Sequence, residues 1–370
     1  MALSVAILAI LTTTTLTATT SSVAMSSAAS AFQAQTAISL SGRLFAINGH
    51  PTYRGTAARG LLLNTRMVQA VFDDANPDTT WQWEYPDTHV WDPQRNTDEF
   101  VAMLPRYAAK GVNMVTVGLQ GGNPDPLRGT SDSIHPEIVT GFEPDGSLDP
   151  AWLGRLDQVI RAADALGMIV DLSLFYRFQD QWVTTDAGVV NAVDNITDWL
   201  VNGGYTNVMM EVCNECNVGG FDHDNLSPDN VWQLIKEVQD RSNGRILTSA
   251  SFGRVNSPVP ESVIAQADFI TVHCDQKTRD EMLGMLDQIR STDAYQAAPK
   301  PIVANECATD LWKMDLAIAH KVSWGYFDQG ANDYVDGFQS PPVNWRINTS
   351  LKRAFFRRAS EYATGLAPSG

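Results

Sequence analysis

NVMMEVCNECN, residues 207–217, sets a short apolar run broken by one charge, Glu211, ahead of amides, a carboxylate and two cysteines. The apolar part is too short for a helix but long enough for a strand, and its lack of clean alternation marks a strand covered on both faces. Seven more segments have this character: AARGLLL (57–63), NMVTVGLQ (113–120), MIVDLSLF (168–175), RILTSAS (245–251), FITVHC (269–274), PIVANE (301–306) and VSWGYF (322–327). Between them lie stretches whose apolar residues recur every three to four positions: 97–111, 149–167, 187–201, 227–242, 278–291, 307–321 and 348–363, with a weaker one at 260–267. The second opens on Asp149-Pro150, a cap followed by a first-turn proline, and the first two end on glycine.

Eight strands separated by helices predict a parallel α/β fold, and in this length a closed (β/α)8 TIM barrel rather than an open sheet. No Gly-x-Gly-x-x-Gly follows the first strand, which further weakens the dinucleotide-binding alternative. Ahead of the barrel, GRLFAINGHPTYRGTA (42–57) reads as a β-hairpin turning at Asn48-Gly49-His50-Pro51 and plugging the barrel bottom. Residues 37–370 are expected to form a single domain. Residues 1–36 read as a leader: no charge occurs in 1–31, the apolar run Val5–Leu11 is too short to span a bilayer, and Ala29-Ser30-Ala31 suits a signal peptidase. A secreted or periplasmic location follows as an expectation, and no later segment is long and apolar enough to form a membrane span.

Lys plus Arg number 26 against 42 Asp plus Glu, a formal charge of −16 that repels phosphate backbones and argues against nucleic acid as a partner. In a barrel of this kind function collects where the strands end. Here those ends are polar: Gln120 followed by Asn123 on strand two, Tyr176 on strand three, Asn214 and Glu215 on strand four, His273 on strand six, Glu306 on strand seven, and Trp324 and Tyr326 on strand eight. Carboxylates, amides and aromatic rings around one mouth suit a carbohydrate substrate. Alternation places Glu215 on one face with Cys213 and Glu211, and Glu306 with Ala304. Two glutamates facing each other across a mouth fit glycoside hydrolysis with retention, which asks for carboxyl groups roughly 5–5.5 Å apart.

These residues resemble the retaining (β/α)8 glycoside hydrolases of clan A, above all family 5, the cellulase and mannanase family. There strand four ends in a pattern such as Glu-Leu-x-Asn-Glu-Pro and strand seven ends in Glu; EVCNE (211–215) and Glu306 match, and FAINGHP is similar to the family's lead-in. The resemblance implies Glu215 as acid/base, Glu306 as nucleophile, Asn214 as holder of a sugar 2-hydroxyl, His273 beside the nucleophile and Trp324 as a sugar platform, with no cofactor. Cys216 stands where the family has proline, and His273-Cys274-Asp275 lacks the family's His-x-Tyr. The bland counterparts are a core histidine at 273, simple packing for Trp324, and no substrate role for Tyr176, Gln120 or Asn123. Trp81, Trp83 and Trp91 either wall the cleft or pin their loop. Glu211 is expected to be a structural charge paired with an arginine such as Arg59, and Asp171 a buried hydrogen-bonding residue.

The tripeptide Asn-Glu-Cys occurs twice, at 214–216 and 305–307, and the chain holds four cysteines. Cys213-x-x-Cys216 with Cys274, Cys307 and His273 offers ligands for zinc, but the second pair lacks that spacing, so no metal is assigned. A disulfide between Cys274 and Cys307 and packed free thiols both remain open. The other readings from this sequence are a non-catalytic glycan-binding barrel and, further off, a zinc-dependent hydrolase.

Overall fold

The computed structural model of the chain describes residues 32–121, 136–253, 258–331 and 333–367. Eight parallel strands run in chain order: β1 Leu63–Arg66, β2 Met114–Gly118, β3 Ile169–Phe175, β4 Val208–Cys213, β5 in two pieces (Leu247–Ser249 and Ser251–Phe252), β6 Ile270–His273, β7 Ile302–Glu306 and β8 Ser323–Tyr326. Each pairs with its neighbour in parallel, and β8 returns to β1. The two pieces of β5 face opposite neighbours, Leu247–Ser249 pairing with β4 and Ser251–Phe252 with β6. Through that one strand, broken at Ala250, the sheet closes on itself as a TIM barrel.

Helices follow the strands as the apolar periodicity requires: α1 Pro93–Ala108, α2 Pro150–Asp164, α3 Asp186–Gly203, α4 Trp232–Ser242, α5 Glu261–Gln266, α6 Arg279–Ser291, the short α7 Asp293–Ala297, α8 Leu311–Ala319 and α9 Ser350–Thr364. Side chains fix the starts of α1, α2, α3, α6, α7 and α9. Asp149 accepts from the Ala151 and Trp152 amides at 2.7 and 2.9 Å, and Thr278 with Glu281 makes a reciprocal capping box. The first helix begins earlier than its apolar spacing predicts because Asp92 caps it and Pro93 fits its first turn.

The barrel bottom is apolar and closed from below. Ile38 and Phe45 of the N-terminal hairpin pack with Leu62, Met114, Ile169, Met209, Phe269 and Val303, all buried. The hairpin is Ile38–Ser41 paired with Leu44–Ile47, and a second tight turn at Asn48-Gly49, both at positive φ, leads to His50–Pro51. The chain is already tied to the barrel at Thr36, whose amide donates to Asp164 Oδ1 at 2.8 Å. Gln33–Gly370 form one compact unit.

Above this floor the barrel interior turns polar. Asn64, Thr116, Asp171, Glu211 and Asn305 are all fully buried. Asn305 Nδ2 donates to Asp171 Oδ2 at 3.0 Å and Glu211 Oε2 at 3.3 Å, while Thr116 Oγ1 donates to Asn305 Oδ1 at 3.0 Å. Glu211 is a structural charge, but the arginine whose charge reaches it is Arg66 on β1 and not the exposed Arg59.

Candidate active site

Four strand ends meet above that polar layer. Arg66 ends β1, Asn214 and Glu215 follow β4, His273 ends β6 and Glu306 ends β7. Arg66 Nε stands 2.7 Å from Glu306 Oε2, and its Nη2 donates to Asn214 Oδ1 at 2.7 Å. His273 Nδ1 lies 3.0 Å from Glu215 Oε1 and 3.5 Å from Glu306 Oε2. One donor atom from each of Glu215, His273 and Glu306 falls within 4.8 Å of the others. His273 is wholly buried, whereas Glu215 and Glu306 side chains keep 18% and 14% exposure, so the carboxyl pair is the part that solvent can reach.

The backbone is shaped for this meeting. Ala304 pairs with both Val272 and Trp324, and Trp324 pairs with Leu63; this row faces the helices, since the Trp324 ring lies against Phe355 of α9. Plain alternation would send Glu306 outward with Ala304. The register instead shifts between Val272 and His273, setting His273 opposite Glu306 and leaving Asn305 as the extra residue. Asn305 and Glu306 therefore both turn inward, which corrects the expectation that Glu306 shares a face with Ala304. Glu215 reaches its place through a left-handed backbone, φ 51°, held by its own N–H donating to Ser251 Oγ at 2.8 Å. Ser251 Oγ in turn donates to Glu211 Oε1 at 2.8 Å. Gly253 supplies the room, since a Cβ there would lie 1.9 Å from Glu215 Oε1.

Electrostatics divide the two carboxyls. Burial pushes Glu306 up, more than Arg66 and His273 pull it down, and the Glu215 charge adds to the rise. Burial would also raise Glu215, but the His273 hydrogen bond and the charges of His273, Arg66 and Arg177 outweigh it and leave Glu215 below the usual carboxylate value. For His273, burial works against protonation, and Glu306 and Glu215 more than reverse it, so the imidazole is raised. The same donor atoms could in principle face a cation. The Arg66 guanidinium at 2.7 Å already occupies the Glu306 oxygen and opposes one.

The other residues singled out from the sequence divide. Tyr176 is half-buried beside the pair; burial raises its phenol, and the charges of Glu306 and Glu215 raise it further. Gln120 is a brace: its amide nitrogen donates to Thr140 Oγ1 and the Gln179 carbonyl, and its oxygen accepts from the Tyr176 amide at 3.0 Å. Both of its amide hydrogens are thereby used within the protein, and the side chain is buried. Trp324 and Tyr326 do not line the mouth. They face α9, where Tyr326 stacks on Phe355 at 4.4 Å and Trp324 has no exposed surface, so neither presents a ring to a sugar. Asn123 lies outside the described residues. Trp83 and Trp91 pin their loop, donating to Asp74 and Asp73 and packing on Phe72, while Trp81 is exposed.

Arg66 lies three residues past the strand expected at 57–63; β1 instead runs on through Asn64-Thr65-Arg66 and sets it at the mouth. Cys274 and Cys307 are joined in a disulfide, and Cys213 and Cys216 are buried free thiols. The zinc arrangement is thereby lost, since two of its four thiols are bonded to each other and burial pushes the Cys213 thiol up, away from the thiolate a metal needs.

No protein-family model and no curated protein sequence matches the chain. Among solved structures it is similar to the β-mannanase of the blue mussel Mytilus edulis, with a TM-score of 0.54 at 10% identity over 91% of this chain and 99% of that one. A family 5 glycoside hydrolase mannosidase from Rhizomucor miehei gives 0.53 at 14% identity over 89% and 97%. A family 5 glycoside hydrolase from Bacteroides vulgatus gives 0.54 at 14% over 88% and 70%. The fold is shared with these hydrolases. At such identities the likeness speaks for architecture alone, and the chemistry rests on the site itself.

Proposed function

We propose that this chain is a retaining glycoside hydrolase acting on a β-linked poly- or oligosaccharide. The observation that carries it is the pair Glu215 and Glu306, on the ends of β4 and β7, with carboxylate oxygens within 4.8 Å of each other above a closed barrel. With oxygens that close, the pair fits the short carboxyl separation of retention, roughly 5–5.5 Å, better than the roughly 6.5–9.5 Å of inversion. Glu306, bonded to Arg66, is the group that attacks the anomeric carbon. Glu215, nearer the rim, protonates the leaving oxygen and then draws a proton from the water that releases the sugar. Asn214, fixed through its oxygen by Arg66, directs its amide nitrogen to a hydroxyl, and Tyr176 flanks the same position. The fold neighbours named as mannanases and a mannosidase make β-mannan the first substrate to try.

The surroundings favour Glu215 as a carboxylate and His273 as the proton carrier. Because Glu306 must be ionised to attack and is raised by burial, the acid limb of the pH profile belongs above the ordinary glutamate range. The test is turnover of β-mannan, β-glucan and aryl β-glycosides, with NMR of the anomer first released. The β-anomer is expected, and Glu215→Ala should lose about 10²–10⁴-fold on substrates with poor leaving groups. Full activity in both Glu215→Ala and Glu306→Ala would end the two-carboxylate reading; tight oligosaccharide binding with no turnover by the unaltered protein would make it a glycan-binding barrel. We also propose export to an oxidising compartment, supported by the Cys274–Cys307 disulfide. N-terminal sequencing of the exported protein should find a start near residue 32.

A further inference from the structure

His273 is placed between the two working carboxylates rather than beside one of them. Its Nδ1 is 3.0 Å from Glu215 Oε1 and 3.5 Å from Glu306 Oε2, and the ring has no exposed surface. Its other nitrogen, Nε2, is buried with no hydrogen-bond partner among the described residues. A single Nδ1–H thus serves both glutamates. The charged groups facing it are Glu215 from the end of β4, Glu306 from β7, Arg66 from β1 and Asp171 from β3. β5 contributes Ser251, which is neutral and bonded to Glu211.

We propose that His273 is a positioning residue that stores the proton Glu215 delivers, so that the acid stays loaded above the pH at which a lone buried glutamate would be empty. This rests on the retaining reading given above. When a sugar enters and displaces water, the ion pair of imidazolium and carboxylate loses solvation on both sides, and the neutral pair gains. The Nδ1–H bond then breaks, its electron pair stays on Nδ1, and an O–H bond forms at Glu215 Oε1. Both charges vanish and the ring keeps its Nε2–H. Glu215 then passes that proton to the leaving glycosidic oxygen. The water that ends the cycle restores one proton to the Glu215–His273 pair, so no other reactant is consumed. The raised imidazole fits this storage, as does the depressed Glu215 carboxyl.

The experiment is the pH profile of kcat/KM for His273→Asn and His273→Gln on two substrates, one with an alkoxide leaving group and one releasing dinitrophenolate, which leaves unprotonated. On the first substrate the basic limb should move down by at least one pH unit, a loss of about tenfold or more at neutral pH that narrows towards the acid end. On the second substrate that shift should be absent. An equal loss at every pH and on both substrates would show a merely structural histidine and overturn the proposal. Ring ¹⁵N NMR of the unaltered protein gives a reading that survives a variant's failure to fold. A doubly protonated His273 at pH 6.5 is expected, and a neutral ring there would overturn the storage role. Glu306→Ala separates this from the reading beneath it: if that variant is dead while His273→Asn keeps the parental profile, only the proton store falls.

Discussion

Gly253→Ala is a minimal change that reaches the site without replacing a charged group. An added Cβ would stand 1.9 Å from Glu215 Oε1, 2.6 Å from its Cδ and 3.1 Å from its Cγ, against an ordinary contact distance of 3.4 Å or more. The carboxyl must therefore retreat by about 1.5 Å, since the backbone of β5 around residue 253 is held by the Gly253 N–H to Asn217 Oδ1 bond at 3.0 Å and by Lys277 on its carbonyl at 2.6 Å. Such a retreat breaks the 3.0 Å bond to His273 and misplaces the acid. A misplacement of that size costs on the order of 10²-fold in rate, or about 2.7 kcal/mol of transition-state stabilisation. Global stability should change by only about 1 kcal/mol, because the Glu215 side chain is partly open to solvent and can swing to the rim. The assay is kcat/KM on a poor-leaving-group substrate alongside thermal unfolding, in a cycle with Glu215→Ala. Once the carboxyl is gone the glycine should no longer matter, so the double variant should match Glu215→Ala. Activity within threefold of the parent, or a full additive loss in the double variant, would refute the steric argument.

Two further outcomes follow from the burial pattern. Trp324→Leu should lower stability by about 2–4 kcal/mol through the cavity left against Phe355, read by denaturant unfolding, and should leave KM unchanged; a rise in KM with stability intact would return the ring to the cleft. Asp171 is pushed up to about 7 by burial and the neighbouring Glu211 charge, against about 3.9 for an unfolded chain. The folded state then binds the extra proton, so this group makes stability fall as pH rises from about 4 to 7. Asp171→Asn should flatten that part of the curve in pH-dependent unfolding, and an unchanged slope would count against the assignment.

The barrel was legible because its strands are nearly all apolar and the helices between them repeat their apolar residues every three to four positions. The catalytic candidates were legible as strand ends, since Glu215 and Glu306 sit where β4 and β7 stop. What could not be read was which way a strand end turns. Trp324 and Tyr326 share one face, but nothing in VSWGYF says whether that face meets the mouth or α9. Glu306 depends on an irregularity of pairing that has no sequence mark, and Arg66 on three polar residues, Asn64-Thr65-Arg66, that break the apolar run by which the strand is recognised. The pairing of Cys274 with Cys307 was open because spacing alone does not bring two strand ends to a Cα separation of 4.5 Å.

The extra residue in β7 makes that strand unforgiving of length. Asn305 and Glu306 differ in task, one tying together the buried Asp171 and Glu211, the other standing in the mouth beside Arg66. Both tasks are served from one strand only because two successive side chains turn the same way. Deleting Asn305 would restore regular alternation and leave the glutamate next after Ala304, still opposite His273, but would remove the amide that ties Asp171 to Glu211. Losing the irregular pairing with both residues kept would instead swing Glu306 to the helix side, so an enzyme falls silent here by a change of register while every residue type it needs is still present.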